Sequence, residues 1–327
     1  MLNSILITGG CGFIGTSLIP ELLKINPNLN IRILDNFSTG TPNDLARVTQ
    51  YTLKAANNCT TNLGVELVNG DIRDENMLLL CSKNVDCIIH LAANTGVQPS
   101  VANPRIDMEA NIIGTFNALE AARINHVDKF IFASSGAPAG EVNPPIHEEL
   151  APHPVSPYGA SKLAGEGYCS AYYKTFGINT ICLRFGNVYG PSSKHKSSIV
   201  AKFIRQALSS EVCFIYGDGT QTRDFIYIDD LVQAILCSID KDIGGETFQI
   251  AMGKEQTINE ISTLIAKLLE YHDVKMITQC NSPKSGDVKR NYSDVSKAKT
   301  ILGWEANTNI EIGINNTIDY FMKINAQ

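Results

Sequence analysis

The feature that most constrains the fold is a glycine-rich turn between the first apolar run and the first amphipathic stretch. The run Ser4–Thr8 leads directly into Gly9, Gly12 and Gly15. Glycines at this spacing let the backbone turn tightly, approach a pyrophosphate closely and pack the following helix against a sheet. The N-terminus of that helix then presents free N–H groups and the positive end of its dipole to phosphates. The spacing therefore predicts a dinucleotide-binding strand–turn–helix unit, in preference to a mere tight turn.

Short apolar runs alternate with longer amphipathic stretches through the first half of the chain. Six runs have strand length and are rich in Ile, Val and Phe: Ser4–Thr8, Ile31–Leu34, Val65–Val68, Val85–Leu91, Lys129–Ala133 and Thr180–Phe185. The helical patterns between them are Gly12–Ile25, Glu75–Cys81, Pro104–Asn125 and Pro157–Phe176. Strands that are apolar on both faces are typical of a parallel sheet covered by helices. We therefore predict an α/β fold with a doubly wound parallel sheet of the Rossmann type.

The alternation fades after about Gly186, which predicts a smaller C-terminal lobe that binds substrate. We expect residues 1–186 to form the dinucleotide-binding domain and residues 187–327 to form mainly the substrate lobe. A strand near Glu246–Ala251 is expected to return to the sheet. The proline-rich stretch Gly136–Pro157 is predicted to be a loop over the edge of the sheet, and the polar, basic stretch Gly190–Ser198 is predicted to be the most mobile loop.

The composition is that of an ordinary soluble globular protein, with 327 residues, 44% of them hydrophobic and 18% charged. A net charge of −6 argues against nucleic acid as a partner and gives no reason to expect binding to an acidic membrane surface. The nine cysteines form no C-x-x-C pair, which is typical of reduced thiols. No basic residue precedes the first apolar run, so we expect no signal peptide and a cytoplasmic protein. Because the cysteines are not paired as ligands, we also expect no metal site.

Two acidic positions point to the adenosine end of a dinucleotide. Asp35 lies twenty positions after Gly15, at the end of the second predicted strand. A carboxylate there accepts hydrogen bonds from the ribose hydroxyls and repels a 2′-phosphate, which favours NAD over NADP. Arg32 lies within the strand and is a poor phosphate clamp. Asp71 follows the third predicted strand, where it meets the adenine ring or, alternatively, caps the next helix.

A tyrosine and a lysine are predicted to share one face of a helix. Ser156 and Pro157 are typical of the N-cap and the first helical position, which places Tyr158 and Lys162 one turn apart. Lowering the pKa of a phenol from about 10 to about 7 takes roughly 4 kcal/mol. A unit charge about 4 Å away supplies that at an effective dielectric constant of about 20. Lys162 and a nicotinamide cation together are therefore expected to make Tyr158 a base at neutral pH; an exposed helical pair is the alternative.

The dipeptide Ser134-Ser135 ends the predicted strand Lys129–Ala133, at the carboxyl edge of the sheet, where ligands bind. A hydroxyl there can hold the substrate oxygen that loses and regains a proton. We therefore predict Ser135 to be the third catalytic residue. The alternative is a serine that only caps the strand end or stabilises a turn.

Together these residues resemble the extended short-chain dehydrogenase/reductase family and, within it, the nucleotide-sugar epimerases and dehydratases. The resemblance covers nearly the whole chain. The motifs that carry it are Gly9-x-x-Gly12-x-x-Gly15, Asp35-Asn36, Asp71-Ile72, His90-Leu91-Ala92-Ala93, Asn111 with Gly114-Thr115, Tyr158 with Lys162, Arg184-Phe185-Gly186-Asn187-Val188-Tyr189-Gly190-Pro191, Tyr216-Gly217-Asp218-Gly219, Arg223-Asp224-Phe225, Asp229-Asp230-Leu231, Gly286-Asp287 and Leu302-Gly303-Trp304.

The resemblance implies NAD as the cofactor and a nucleotide-diphosphate sugar, UDP-linked, as the substrate. Beyond Gly9, Gly12, Gly15, Asp35, Tyr158 and Lys162, the implied cofactor contacts are Phe13, Ile14, Asn36, Asp71, Ile72, Leu91, Ala92, Ala93, Asn111 and Val188. The implied contacts with the nucleotide diphosphate are Asn187, Phe214, Tyr216, Arg223 and Asp287. A guanidinium such as that of Arg223 suits phosphate oxygens on chemical grounds. Lys284 stands where many relatives carry Arg, which keeps the charge but loses the bidentate geometry.

The resemblance also bears on the reaction. Dehydratases and decarboxylases of the family carry an acidic group just after the catalytic Ser or Thr, whereas this chain has Gly136 and Ala137. The simplest remaining chemistry is C4 epimerisation of a UDP-hexose through a transient 4-keto sugar. A nucleotide-sugar reductase or dehydrogenase is the alternative enzyme, with a 4,6-dehydratase behind it, and a non-catalytic NAD-binding scaffold is the alternative of another class.

Three features concern the sugar and the assembly. Asn291 stands where some C4-epimerases have a bulky Tyr, so a 2-acetamido sugar is expected to fit. Pro138-Ala139-Gly140 replaces the usual Val-Tyr-Gly, which changes the pocket. The basic run Lys194-His195-Lys196 would reach a uronate carboxylate or, alternatively, form a solvated loop. The resemblance implies a homodimer through Pro104–Asn125 and Pro157–Phe176.

Overall fold

The structure, a computed structural model, describes residues 2–59, 64–283 and 288–325. The strands of these residues, in chain order, are β1 (Ser4–Thr8), β2 (Asn30–Asp35), β3 (Thr52–Lys54), β4 (Gly64–Asn69), β5 (Cys87–His90), β6 (Lys129–Ser135), β7 (Asn179–Phe185), β8 (Asn187–Tyr189), β9 (Val212–Tyr216), β10 (Thr222–Arg223), β11 (Phe225–Tyr227), β12 (Glu246–Ile250), β13 (Gln256–Thr257) and β14 (Ile277–Asn281).

The α-helices of the same residues are α1 (Phe13–Ile25), α2 (Pro42–Ala46), α3 (Glu75–Cys81), α4 (Val97–Ala102), α5 (Pro104–Met108), α6 (Gly114–Ile124), α7 (Pro157–Phe176), α8 (Ile199–Leu208), α9 (Ile228–Asp240), α10 (Ile258–Glu270) and α11 (Ile310–Asn325). Within the described ranges, no helix is long and apolar enough to cross a membrane.

Eight of the strands form one parallel sheet in the order β12-β7-β6-β5-β1-β2-β4-β3. The six predicted strands are all present, with ends within two residues of the predicted ones. Every residue of β1, β2 and β5 is buried, as expected of parallel strands with helices on both faces. The α/β fold of the Rossmann type is therefore confirmed.

The direction of strand addition reverses at β1. The chain continues from β1 to β2 and β4 on one side, and later places β5, β6 and β7 on the other side. In sheets of this kind, ligands bind beyond the carboxyl ends of the strands at such a switch point. The ends of β1 and β5 are joined there, because Thr8 Oγ1 lies 2.9 Å from His90 Nδ1 and the Leu91 N–H donates to the Thr8 carbonyl at 3.1 Å.

Helices cover both faces of the sheet. Helices α1 and α9 contact each other on one face, and α3, α6 and α7 contact one another on the opposite face. The predicted helix Pro104–Asn125 is interrupted, because the π-helical segment Glu109–Ile113 joins α5 to α6. Such segments often occur at functional sites, and this one contains Asn111.

The C-terminal residues pack as helices α8, α10 and α11 around short two-stranded sheets. Strand β12 lies where the sequence predicts a return, and it pairs in parallel with β7 at the edge of the large sheet. The proline-rich stretch Gly136–Pro157 also reaches the C-terminal residues: the Ile146 N–H donates to the Tyr292 carbonyl at 2.8 Å, and the Asp294 N–H donates to the Ile146 carbonyl at 2.8 Å. The stretch that follows β6 is thereby tied to residues far along the chain.

Candidate active site

The glycine turn is closely packed at all three of its glycines. A Cβ atom on Gly9, whose φ is +73°, would lie 2.8 Å from the Ala92 nitrogen, and one on Gly15 would lie 2.5 Å from the Gly10 carbonyl oxygen. Gly12 has an ordinary φ of −74°, and a Cβ there would meet only the Gly9 carbonyl oxygen, at 3.2 Å. Backbone conformation does not require glycine at position 12, but a side chain there would be crowded against the Gly9 carbonyl, and its absence fits the close approach of a ligand.

Helix α1 begins at Phe13, directly after Gly12. Its N-cap residue, Gly12, provides no side chain to cap the helix, and the first turn contains no acidic residue. The N–H groups of the first turn, which include those of Phe13 and Ile14, therefore have no side-chain cap, and the positive end of the helix dipole is not neutralised by a carboxylate in that turn. These are the properties of a pyrophosphate site, so the turn fits a dinucleotide.

Asp35 lies at the carboxyl end of β2, next to this turn. Its carboxylate accepts the Cys11 N–H at 2.9 Å and the Phe37 N–H at 2.8 Å. Burial raises the pKa of Asp35, and the two hydrogen bonds oppose that rise. Arg32 is buried in the core, where its guanidinium donates to the carbonyls of Cys81 and Lys83. A carboxylate without a neighbouring phosphate clamp favours NAD over NADP.

Asp71 and Asn36 come together near the same edge. The Asn36 amide donates to Asp71 Oδ2 at 2.9 Å. Hydrogen bonds from Arg73, with a further one from Asn36, lower the pKa of Asp71 to about 2, although burial opposes them. The alternative that Asp71 caps helix α3 is wrong, because Asp74 accepts the N–H groups of the first turn. Ile72 is buried next to Asp71.

The segment after β5 lies beside the glycine turn, where the resemblance places further cofactor contacts. The Ala92 N–H donates to Thr8 Oγ1 at 3.3 Å, so the stretch 91–93 follows the ends of β1 and β5. Asn111 is buried, and its amide is shared among three partners within the chain. It donates to the Asn94 carbonyl (3.0 Å), Asp107 Oδ1 (2.9 Å) and Ser161 Oγ (3.1 Å), while its carbonyl accepts the Asn94 N–H at 2.7 Å. Asn111 therefore fixes the segment that follows β5.

The predicted catalytic helix begins as the sequence indicates. Ser156 caps α7 by accepting the Gly159 N–H at 3.2 Å, and Pro157 is the first helical residue. Lys162 is buried, and its ammonium donates to the Ala133 carbonyl at 2.8 Å. The same ammonium lies 6.0 Å from the centre of the Tyr158 ring. The pair is therefore not an exposed helical pair but part of the carboxyl edge of β6.

Tyr158 and Ser135 lie close enough for Ser135 to act on the phenol. Burial raises the pKa of Tyr158 to about 12, the interaction with Ser135 opposes this rise, and the charge of Asp107 adds to it. The sequence predicts a lower pKa when a nicotinamide cation adds its charge to that of Lys162, and this stays a prediction. Burial also lowers the pKa of Lys162 to about 8, which still leaves it charged at neutral pH.

Ser135 has two roles at the end of β6. Its Oγ accepts the Ala137 N–H at 3.2 Å, as a turn serine does, and it also acts on the Tyr158 phenol. The turn interpretation is therefore confirmed, and the catalytic one stays a prediction. Gly136 follows without a side chain, and a Cβ there would lie 3.8 Å from Asn291 Oδ1. Asn291 thus faces the catalytic edge.

Two buried carboxylates beside the pair are not predicted from the sequence. Asp107 is bonded to Asn111, and its charge acts on both Tyr158 and Lys162. Glu166, one helical turn after Lys162, accepts two hydrogen bonds of 2.8 Å from Arg184 and one of 2.5 Å from Ser134. A charged residue four positions after Lys162, on the face that packs on the sheet, is the signal that would have revealed Glu166.

The predicted substrate residues lie mainly on the short strands of the C-terminal part. Along β9, burial alternates so that Phe214 and Tyr216 are half-buried on one side and Cys213 is buried on the other. Asn187 begins β8, where Val188 is buried. Arg223 donates to the carbonyls of Thr222 and Val288. Lys284 and Asp287 lie outside the described residues.

The glycine turn after β1, Asp35 at the end of β2 and the pair of Tyr158 and Lys162 together define an enzyme that holds a dinucleotide on a Rossmann sheet. The sequence profile of the NAD dependent epimerase/dehydratase family matches residues 5–251. The chain belongs to this family, and its cofactor is NAD.

Individual proteins are similar to the chain over almost its full length. A putative UDP-glucose 4-epimerase of Methanocaldococcus jannaschii is 36% identical over 326 residues, which cover 98% of this chain and 99% of that protein. The crystal structure of UDP-glucose 4-epimerase with UDP-glucose from Thermotoga maritima matches with a TM-score of 0.87 and 33% identity, over 98% of this chain and 99% of that one. The UDP-N-acetylglucosamine 4-epimerase of Methanobrevibacter ruminantium, in complex with UDP-N-acetylmuramic acid, matches with a TM-score of 0.86 and 29% identity over the same shares.

Proposed function

We propose that the protein is an NAD-dependent epimerase that inverts C4 of a UDP-hexose through a transient 4-keto sugar. The observation that carries this proposal is the arrangement at the end of β6. Tyr158 interacts with Ser135 and stands next to a charged Lys162, and the residues after Ser135 are Gly136 and Ala137. The site can move one proton at a hydroxyl, and it offers no acid after Ser135 with which to remove water.

The chain's own groups have distinct tasks in this chemistry. When bound, NAD would supply a hydride acceptor that also returns the hydride. Ser135 holds the substrate oxygen, and the Tyr158 phenolate takes the C4 hydroxyl proton and, as the phenol, gives it back. Lys162 favours the phenolate electrostatically, and its bond to the Ala133 carbonyl fixes the position of its charge. Burial raises the pKa of Tyr158 to about 12 and so opposes formation of the phenolate, whereas the positive charge of Lys162 favours it.

Asn291 is the residue that we expect to lie next to the C2 substituent of the sugar. This side chain faces Gly136 across the catalytic edge, and neither residue is bulky. Asn291 is held there through its N–H, which donates to Thr222 Oγ1 at 3.3 Å. A UDP-hexose with a 2-acetamido group therefore fits the proposal as well as one with a free hydroxyl, and similar epimerases are named for both kinds of substrate.

The proposal includes a cytoplasmic homodimer. The helices that the sequence assigns to the interface expose large apolar side chains, with Ile106 46%, Ile113 43%, Tyr168 40% and Phe176 49% exposed. Four such residues on adjacent helices form a surface that a second copy would cover. Light scattering at micromolar concentration is expected to give twice the mass of the chain, and a monomer would contradict this part of the proposal.

The reaction is tested with a panel of UDP-sugars: UDP-glucose, UDP-N-acetylglucosamine and their uronates. Products resolved by NMR are expected to be C4 epimers of one or more of these substrates, formed without a net change in NADH absorbance. A stoichiometric change in NADH would instead identify a reductase or dehydrogenase. Loss of water from the sugar would identify a dehydratase.

A further inference from the structure

The basic loop, residues 190–198, is held to the body of the protein at its backbone. Arg205 of α8 donates from Nη1 to the carbonyls of Lys194 (2.6 Å) and Lys196 (2.8 Å). Ser193 is buried, and its hydroxyl donates to the Gly190 carbonyl at 2.6 Å. A guanidinium that binds two carbonyls of one loop fixes the loop's path, and therefore the direction in which its side chains leave the backbone.

Two side chains of the basic loop bind a carboxylate on the cofactor side of the sheet. The Lys194 ammonium lies 2.6 Å from Asp44 Oδ1, and His195 Nε2 lies 3.2 Å from Asp44 Oδ2. Asp44 belongs to α2, which follows the strand that ends in Asp35. Although burial opposes them, hydrogen bonds from Lys194 and Thr41 lower the pKa of Asp44 to about 2, so this ion pair persists through neutral pH. The loop thus bridges from α8 to the segment that follows β2.

Between these two anchors, Lys196 faces the start of α1. Its ammonium lies 5.5 Å from the centre of the Phe13 ring. Lys196 and Phe13 line a cavity of about 320 Å³, together with Cys11 and Gly40. Within the described ranges, no carboxylate forms an ion pair with Lys196, and burial lowers the pKa of Lys196 to about 8. A charged amine beside the positive end of a helix is electrostatically unfavourable unless an anion lies near both.

We propose that the basic loop is a clasp that retains the dinucleotide: Lys196 contacts a phosphate of NAD, and Asp44 holds the loop in place through Lys194 and His195. The proposal rests on NAD as the cofactor and is independent of which sugar is epimerised. It explains why a run of three basic residues stands in a protein of net charge −6. A cofactor that must return its hydride within the same cycle gains from slow release, and charge pairs at a binding site act mainly on the dissociation rate.

The test is the rate at which bound NAD leaves the protein, measured by exchange of isotopically labelled NAD against an excess of unlabelled NAD. Lys196→Met is expected to raise this rate about tenfold and to flatten its dependence on NaCl, because the charge–phosphate contact of a side chain that is still partly open to solvent is lost. Lys299→Met is the matched control. Lys299 forms an exposed ion pair of 2.8 Å with Glu305, so its removal should leave the rate unchanged.

Two further variants test the anchor. Asp44→Asn keeps an oxygen for the Thr41 contacts but removes the charge that binds Lys194, and Lys194→Met removes the partner. Each is expected to raise the rate of NAD release about threefold to fivefold. The double variant is expected to release NAD no faster than the faster single variant, because the two residues act as one pair. Thermal unfolding of the NAD-free proteins serves as the folding control, and if Lys196→Met does not fold, the two anchor variants decide.

Release rates that equal the wild-type rate in the Lys196 and Asp44 variants would overturn the clasp. That result leaves the proposed reaction untouched, since epimerisation is read separately from sugar products. Conversely, a protein that retains NAD through the clasp but converts no UDP-sugar would overturn the proposed function alone.

Discussion

The two halves of the site are built in different ways. On the cofactor side, Asp35 and Asn111 are buried and already hydrogen-bonded to backbone and side-chain groups of the chain. On the substrate side, Phe214 and Tyr216 stand half-buried on a two-stranded sheet whose partner strand, β14, is exposed at every residue. The first half is preorganised by the fold, whereas the second presents side-chain surface to a ligand.

Because of this difference, the cofactor half is expected to control catalysis and stability, and the substrate half is expected to control binding affinity. A preorganised edge positions reacting groups and loses catalysis or stability when one group is removed. An open set of side chains supplies binding energy that is spread over several contacts, so that loss of one weakens affinity without stopping the reaction. Changes in the two halves are therefore expected to differ in kind as well as in size.

The largest effect is expected from Tyr158→Phe. Removal of the phenolic oxygen leaves no group to exchange the C4 hydroxyl proton, so kcat should fall by about a thousandfold or more. NAD retention should stay at the wild-type level, since the glycine turn is intact. Steady-state kinetics and the NAD content of the purified protein check both points. Tyr173→Phe on the same helix is the control, and a Tyr158 variant that keeps more than a tenth of wild-type kcat would break the assignment.

The next largest effect is expected on stability, from Glu166→Ala. This change leaves the buried Arg184 without its carboxylate, and breaking a buried ion pair by removing one partner costs about 3–5 kcal/mol. Glu305→Ala breaks an exposed pair with Lys299 and should cost at most about 1 kcal/mol. Denaturant unfolding measures the two losses. Equal losses would show that the edge of β6 is not rigidly supported by Glu166.

A pH effect is expected from His90, which joins the ends of β1 and β5. Burial, with a smaller contribution from the charge of Lys162, lowers the pKa of His90 to about 3. In the unfolded chain the pKa of the imidazole is about 6.5. The neutral, buried imidazole therefore contributes its full stabilisation above about that pH, and this contribution is lost as the pH falls. The loss should be about 2 kcal/mol between pH 7 and pH 5. In His90→Gln, the free energy of unfolding should change less over the same range; an unchanged slope would contradict this.

The smallest effect is expected on the substrate side. Tyr216→Ala should raise KM for the UDP-sugar about tenfold, which corresponds to about 1.4 kcal/mol of lost contact, and kcat should change less than about twofold. Tyr271→Ala removes an aromatic ring that is 72% exposed and serves as the control. If kcat falls as much as KM rises, Tyr216 also positions the sugar, and the contrast between the halves becomes weaker.

Local sequence signals predicted the secondary structure of the cofactor half well. Helix α7 has the predicted bounds because Ser156, Pro157 and the helical periodicity all agree. The glycine turn and Asp35 likewise follow from short-range spacing within one strand–turn–helix unit. These parts of the site are determined by neighbours in sequence.

What the sequence did not reveal depends on partners that are distant in sequence. Asp107 and Glu166 gain their roles from contacts with Asn111 on a π-helical segment and with Arg184 on β7. The pKa of Tyr158 is a similar case: burial of the phenol raises it, and the spacing of Tyr158 and Lys162 gives no sign of that burial. Spacing predicts which groups share a face but not how strongly each is desolvated.

The central claim is that one enzyme-bound NAD takes a hydride from C4 and gives it back to the same carbon. The most direct test is to incubate the protein with a UDP-hexose that carries deuterium at C4 and to follow both epimers by NMR. The account predicts that the deuterium stays at C4 in substrate and product while no reduced cofactor accumulates in solution. Loss of deuterium from C4, with release of labelled NADH, would contradict it.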